Sequence, residues 1–358
     1  MKLAFSVNSK QKKFFKKLSL VCSDIKVYES KKIFTISFKA LKYLKKISFK
    51  KAINLRVKDF YAKYEINVPK VFLESFYTFL AYYNFFRYFS IFKKKYKSVI
   101  VWNGFMFRQA IILEIAKALN KEIIYCEGGY LPNRFVIDKK GINYYNSVPR
   151  EPEFFKNYTP KPLPKSLIPR ELRKGKKIEK NQTPLPQKFI FVPFQVDYDT
   201  QILLFSPWVS NMRELFALME ELSQKLGITF VFKEHPSSRK SYEDLKRKQN
   251  KHLIFANNYS TQELIQKASM VITINSTVGI ESLLFHKKVI TLGEAFYNIK
   301  GIVKHIKNKN ELEKALQEGF EIDFDLVDRF LSYLYYDYLI EGNLKAFNEQ
   351  SVKMRLCQ

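Results

Sequence analysis

Residues 270–293, MVITINSTVGIESLLFHKKVITLG, leave the chain few ways to fold. They open with an apolar, β-branched run at 270–274, the size of a buried strand. Asn275, Ser276 and Thr277 follow, small residues whose oxygens cap a helix start. Residues 278–285 then read as a helix apolar almost all round, and 288–292 as a second buried strand closed by Gly293. Strand, capped helix and strand predict a βαβ unit, which crosses over right-handed into a parallel sheet. Ligands of such sheets sit beyond the carboxyl ends of the strands, where helix N-termini attract phosphate. Gly279 removes bulk from the first helical turn, so that something can approach the backbone, and Glu281 adds a carboxylate one turn in. An ordinary βαβ unit with a solvated acid would carry the same pattern.

A second βαβ unit is expected earlier, with strands at 98–102 and 122–125 flanking a helix at 107–119. Before it, 3–7, 25–28 and 33–38 read as strands, 41–63 as a basic helix and 69–92 as a helix dense in aromatics. The stretch 149–186, with Pro160, Pro162, Pro164, Pro169, Pro184 and Pro186 among its lysines, reads as a linker. Strands at 188–193, 229–232 and 253–256 and helices at 208–226 and 261–268 then lead into the central stretch. The chain accordingly divides into an α/β domain at 1–180 that includes the linker, a Rossmann-like domain at 187–310 and a helical tail at 311–358. Two α/β halves joined by a linker are the layout of a two-domain cleft enzyme.

With 46% hydrophobic residues in 358, the chain is globular, and a net charge of +28 calls for an anionic partner. Nucleic acid, anionic lipid and phosphorylated substrates all qualify. Cys22, Cys126 and Cys357 show no metal or disulfide spacing, which fits a reducing compartment. The opening residues 1–7 are too short for the apolar core of a signal peptide. The longest apolar stretch, 71–92, is interrupted by Glu74, Asn84 and Arg87 and is not expected to span a membrane.

Three stretches outside the central one carry groups suited to chemistry. In 230–236, FVFKEHP, Lys233 and His235 alternate past a strand end, so they are expected to point together, and Pro236 fixes the backbone after them. Beside a helix N-terminus they would make a phosphate clamp; a lone loop histidine is more often a surface residue. In 191–201, FVPFQVDYDTQ, Asp197 and Asp199 follow a strand. They could hold a metal, or one could act as nucleophile while the other caps a loop; a plain turn is the bland reading. A site already supplied with cations favours the nucleophile. In 126–132, CEGGYLP, Glu127 precedes Gly128 and Gly129, which leave room for a ligand or simply make a tight turn, and Asp138 and Asn143 lie close enough to add polar contacts.

Taken in order, Gln195-Val-x-x-Asp199-x-Gln-Ile202, Lys233-x-His235-Pro236, Asn275-Ser-Thr-Val-Gly-x-Glu281, Gly293-x-Ala-Phe-Tyr297 and the Glu127-Gly turn resemble the bacterial capsule polysaccharide biosynthesis and export proteins, specifically their retaining β-Kdo glycosyltransferases of the capsule linker type. The resemblance covers roughly 98–305. It implies an α/β, GT-B-like fold: two Rossmann-type domains facing across a cleft, with C-terminal helices, 1–180 on the acceptor side and 187–310 binding the nucleotide sugar. It implies transfer of Kdo from CMP-Kdo to a (lyso)phosphatidylglycerol-based lipid acceptor; no cofactor or metal is expected, because the site already has its own cations and a helix terminus. Asp199 then matches the catalytic carboxylate. Lys233, His235, Pro236, Asn275, Ser276, Thr277, Gly279 and Glu281 match the nucleotide side. Gln195, Gly128 and Gly129 would add donor or acceptor contacts, and Glu127 is the candidate general base.

The physics of that reading is coherent. CMP leaves with one phosphate, which a few donors and a helix dipole can stabilise, and retention suggests attack by a carboxylate followed by its displacement. The implied partners are a CMP-sugar donor, an anionic glycerophospholipid, other capsule synthesis or export proteins and the inner face of the cytoplasmic membrane, to which a cytoplasmic enzyme would attach peripherally. Lysines at 10–17 and 39–51, close to the aromatic helix, are the expected attachment. The rival readings are a GT-B transferase of another sugar nucleotide and a non-catalytic nucleic-acid-binding protein; no nucleic-acid motif is present to support the second.

Overall fold

Each of the two predicted βαβ units sits in the middle of a six-stranded sheet. In the computed structural model, which describes residues 1–357 except 65, 165–166 and 168–183, these sheets belong to two compact units. One unit takes Met1–Gly129, Asn133–Ser147 and Tyr338–Gln358; the other takes Tyr130–Pro132 and Val148–Asp337.

The first unit contains β1 (Lys2–Ser6), α1 (Ser9–Val21), β2 (Ile25–Glu29), α2 (Lys50–Lys63), α3 (Lys70–Phe89), β3 (Ser98–Trp102), α4 (Phe107–Ala118), β4 (Glu122–Gly128) and β5 (Arg134–Asp138). The second contains α5 (Pro152–Lys156), β6 (Ile190–Pro193), α6 (Thr200–Phe205), α7 (Met212–Leu226), β7 (Phe230–Lys233), α8 (Glu243–Lys246), β8 (Leu253–Phe255), α9 (Thr261–Lys267), β9 (Met270–Thr273), α10 (Thr277–Leu283), β10 (Lys288–Thr291), β11 (Lys304–His305), α11 (Lys309–Glu318) and α12 (Phe324–Tyr333). The chain then returns to the first unit with β12 (Ile340–Glu341) and α13 (Glu349–Leu356).

In the first sheet the order is β12-β5-β4-β3-β1-β2, parallel from β4 to β2, with β5 and β12 antiparallel at the other end. The second sheet, β11-β10-β9-β6-β7-β8, is parallel throughout. Alternating side chains explain how both faces of each sheet are buried. Val192, Phe230, Phe232 and Ile272 enter one core while Phe191, Val231 and Val271 enter the opposite one. In the first unit Leu3, Phe5, Val99 and Val101 likewise oppose Ala4, Ile100, Ile124 and Cys126.

Several expectations change. Residues 33–38 form no strand; the Ser37 N–H donates to the Phe86 carbonyl and Arg87 Nε donates to the Ile33 carbonyl, so the segment is pinned to α3 instead of a sheet. The basic stretch 41–63 is split into a 3₁₀ segment, Phe38–Lys46, and α2, which starts after Phe49, a residue buried against Tyr82 and Phe85. The expected linker begins as folded structure: Phe155 in α5 packs edge-on against Phe330 and Tyr333 of α12. Much of the rest of that linker, including Pro169, lies outside the described residues.

The boundaries drawn at 180, 187 and 310 also differ from the observed division. The tail is divided between the units, because α11 and α12 stay with the second whereas β12 pairs with β5. The cysteines change too. Cys22 and Cys357 form a disulfide, Cα atoms 5.6 Å apart, between the ends of α1 and α13. Their 335-residue separation kept that pairing out of any local spacing pattern. No helix among the described residues is long and apolar enough to cross a membrane.

Candidate functional site

In the second unit the parallel neighbours β10, β9, β6 and β7 deliver their following loops to one sheet edge. This brings the 194–199, 234–237 and 274–277 segments together there, as a switch-point site requires.

The frame of that edge is a buried amide pair. Gln195 Nε2 donates to Asn275 Oδ1 at 3.0 Å, and the Asn275 N–H donates to Gln195 Oε1 at 3.1 Å. Asn275 Nδ2 further donates to the Gln201 and Phe205 carbonyls, at 3.0 and 3.1 Å, which fixes α6 against the end of β9. Both amides are buried and satisfied, so they position the edge. The sequence suggested ligand contacts for them; the hydrogen bonds give them a scaffolding task.

The two aspartates separate by role. Asp197 is buried and accepts from the Met212 N–H (2.8 Å) and the Tyr242 hydroxyl (3.2 Å), with Lys240 Nζ 3.7 Å away. Burial, together with Asp197, raises the Tyr242 pKa. Asp199 is exposed and caps α6, accepting the Gln201 N–H through Oδ1 at 2.9 Å. An Asp-x-Asp chelate would need both carboxylates available; here the first is committed to the core.

Past β7 the side chains of Lys233 and His235 diverge. Lys233 is buried, and Nζ donates to the Asn257 and Tyr259 carbonyls at 2.8 and 2.6 Å. His235 is exposed, and its Nδ1 accepts the Ser237 N–H at 3.1 Å, so the neutral ring carries its proton on Nε2. Alternation holds only within an extended strand, and β7 ends at Lys233, with a turn at Pro236 and Ser237. The expectation that the two point together is therefore replaced by a buried loop anchor and an exposed ring. The Tyr198 hydroxyl donates to the Ser237 carbonyl at 3.2 Å, tying the Asp199 loop to the His235 loop.

At α10, Ser276 caps with its hydroxyl, which accepts the Val278 N–H at 3.1 Å, and Thr277 follows half-buried. Gly279 has a different reason from the one its position suggests. A Cβ there would lie 2.5 Å from the Tyr297 hydroxyl, which donates to the Ser276 carbonyl, so the space serves Tyr297 and not a ligand. Burial pushes the Tyr297 hydroxyl above the ordinary tyrosine range. Glu281 is buried in the same short helix.

Glu127, Gly128 and Gly129 belong to the first unit. Glu127 Oε2 accepts from Asn103 Nδ2 at 2.8 Å and Oε1 from the Gly128 N–H at 2.9 Å. Gly128 has open space where a side chain would be, whereas a Cβ on Gly129 would strike the Arg134 backbone. Gly129 is thus required by the hairpin. Asp138, which adjacency in sequence suggested as a ligand contact, accepts internally from the Lys140 and Ser147 N–H groups and from the Ser147 and Tyr338 hydroxyls. Asn103 and Tyr198 carry no role that the sequence suggested, and Tyr297 stood only in the Gly293-x-Ala-Phe-Tyr297 motif without one. Of the first two, Asn103 had a local signal, an Asn-Gly pair after a strand, and it adopts φ 67°.

Comparison with known proteins agrees with this architecture. Residues 170–344 match the family described as capsule polysaccharide biosynthesis protein. Protein FixF of Sinorhizobium fredii (strain NBRC 101917 / NGR234) is 36% identical over 250 residues, 68% of this chain. The chain spans 60% of that relative's length. Capsule polysaccharide export protein KpsS of Escherichia coli is 25% identical over 282 residues, covering 61% of this chain and 72% of KpsS. Among solved structures, Thermosulfurimonas dismutans KpsC, a β-Kdo 2,7 transferase, superposes with a TM-score of 0.51 at 16% identity, over 99% of this chain and 98% of that one, which shows a common GT-B fold. In its matched segment, just under half of its length, in its capsule relatives and in its fold, the chain is similar to the capsule polysaccharide biosynthesis proteins.

Proposed function

We propose that this chain is a retaining glycosyltransferase that moves Kdo from CMP-Kdo to a glycerophospholipid-based acceptor, without a metal. The observation that carries the reading is the pairing of an exposed carboxylate, Asp199, with an exposed imidazole, His235, on loops joined by the Tyr198–Ser237 hydrogen bond. Asp199 attacks the anomeric carbon as the bond to the CMP phosphate breaks; the acceptor hydroxyl then displaces Asp199, restoring the configuration. His235 donates through Nε2 to the leaving phosphate, and Ser276 and Thr277 bind it at the start of α10. Glu281 is assigned the ribose hydroxyls and Glu127 the proton of the acceptor hydroxyl. Lys233, Gln195 and Asn275 act as positioning residues.

CMP is expected to raise the melting temperature, and uridine nucleotides to do so less. Asp199→Ala should abolish transfer, read by mass spectrometry of the lipid product, while CMP still stabilises the protein. His235→Ala should weaken CMP binding and slow transfer by roughly 3 kcal/mol of barrier. Full activity in Asp199→Ala, or complete loss of activity in EDTA, would replace this mechanism.

A further inference from the structure

Helix α3 is apolar on two opposite sides, and among the described residues only one of them is covered. Leu73, Tyr77, Ala81, Asn84 and Tyr88 are buried. Phe72, Phe76, Phe79 and Tyr83, spaced by four, three and four residues, line up on the other side by the helical repeat. They are 64, 48, 68 and 44% exposed. The stripe continues onto another segment. Phe79 stacks on Tyr83, Arg87 lies 5.0 Å over the Tyr83 ring, and Arg87 Nε donates to the Ile33 carbonyl. Ile33 is followed in the chain by Phe34, Ile36 and Phe38, and Phe34 and Phe38 are 80 and 74% exposed. Exposed apolar surface of this extent marks an interaction site.

Charge identifies the partner. Residues 31–63 hold eleven Lys and Arg against one acid, Asp59. Lys39, Lys42, Lys45 and Lys46 are exposed and sit between the apolar side chains of the Phe38–Lys46 segment. A second copy of this chain would set like charges against like. A nucleic-acid strand stacked along α3 would leave its phosphates without cations, since the helix carries only Lys70 and Arg87, one near each end. An anionic bilayer separates the two requirements, taking phenylalanine into the acyl boundary and lysine at the headgroups.

We propose that this face of α3 and the 34–46 segment is a docking surface for an anionic phospholipid membrane, held by inserted phenylalanines as well as by lysine charge. It deepens the lipid-acceptor reading above, on which its purpose rests.

The test is co-sedimentation of the full chain, without donor, on phosphatidylglycerol/phosphatidylethanolamine and on phosphatidylcholine vesicles at low and high salt. Binding to the anionic vesicles should persist in part at high salt. Replacing Phe72, Phe76 and Phe79 together by Ser should lower partitioning at least tenfold (roughly, from lost apolar burial) and remove the salt-resistant part. Lys42→Glu with Lys45→Glu and Lys46→Glu should remove the salt-sensitive part, about fivefold per lysine. Leu20→Ser, on α1, should change nothing. The phenylalanines are exposed, so an unchanged melting curve shows that the variant is folded. Vesicle binding unaltered in the phenylalanine variant overturns the proposal. So does a shift from dimer to monomer in that variant without any vesicle effect, or lysine- and phenylalanine-dependent capture of single-stranded oligonucleotide in preference to vesicles. Transfer to detergent-dispersed acceptor is read in parallel. A wild-type chain that transfers Kdo but ignores vesicles loses the docking face alone; one that binds vesicles but transfers nothing loses the transferase reading alone.

Discussion

Asp197 and Asp199 stand two residues apart and face opposite fates. Asp197 is held by the Met212 N–H and the Tyr242 hydroxyl, both within one core, and by the nearby Lys240 ammonium. Removing a buried acceptor leaves its donors unsatisfied, at about 1–3 kcal/mol each. Asp197→Ala should therefore lower the melting temperature by several degrees and reduce activity only in proportion to the folded fraction, whereas Asp199→Ala should melt near wild type, losing at most a cap worth about 1 kcal/mol. Circular dichroism melts beside single-turnover rates would separate the two. A stable but inactive Asp197→Ala would transfer the nucleophile's role to that residue. Nothing local in Gln-Val-Asp-Tyr-Asp distinguishes the two carboxylates. Their difference is set by Met212 and Tyr242, fifteen and forty-five residues away. For the same reason Lys233, whose partners lie on the segment after β8, was legible as a cation past a strand but not as a loop anchor.

The βαβ elements were the most legible part of the chain, because their evidence is local. The run 270–274 appears as β9, Ser276 as the cap of α10 and 288–292 as β10, in parallel register Lys288↔Met270. What local pattern could not reveal is why Gly279 is a glycine. Its neighbour is Tyr297, eighteen residues on, after β10, with the hydroxyl inside contact distance of any Cβ. Gly279→Ala should force Tyr297 outward and break its bond to the Ser276 carbonyl, an overpacking cost of about 1–3 kcal/mol. Removing the hydroxyl with Tyr297→Phe relieves part of the clash, so the double variant should be more stable than the sum of the single effects. Chemical denaturation of the four proteins gives the coupling. Strict additivity would show that Tyr297 is not what holds position 279 at glycine.

At the scale of the whole chain the fold is least legible in the sequence, because no local pattern shows that a later segment returns to an earlier domain. The observed units interleave: the chain leaves the first after Ser147 and comes back at Tyr338. One carboxylate marks these two crossings. Asp138, buried at the end of β5, accepts the Ser147 N–H at 2.7 Å, the Ser147 hydroxyl at 2.8 Å and the Tyr338 hydroxyl at 2.8 Å. The last residues of the outgoing segment and the first of the returning one are thus fastened to a single side chain, and β12 and α13 follow from there. Asp138→Asn keeps the shape but supplies donors where three donor groups already converge. It should lower the melting temperature, since hydrogen bonds to a charged group contribute about 1.5–3 kcal/mol each. It should also speed protease cleavage near 147–152 and 338–343 while leaving the stabilisation proposed for CMP unchanged. Tyr338→Phe, which removes one of the three side-chain and backbone donors, should show the same pattern at smaller amplitude. Limited proteolysis followed by mass mapping decides it. Cleavage confined to other loops in both variants, with 147–152 and 338–343 as resistant as in the wild type, would mean that the crossings are held by the disulfide-linked helices α1 and α13 and the β5–β12 pairing without Asp138.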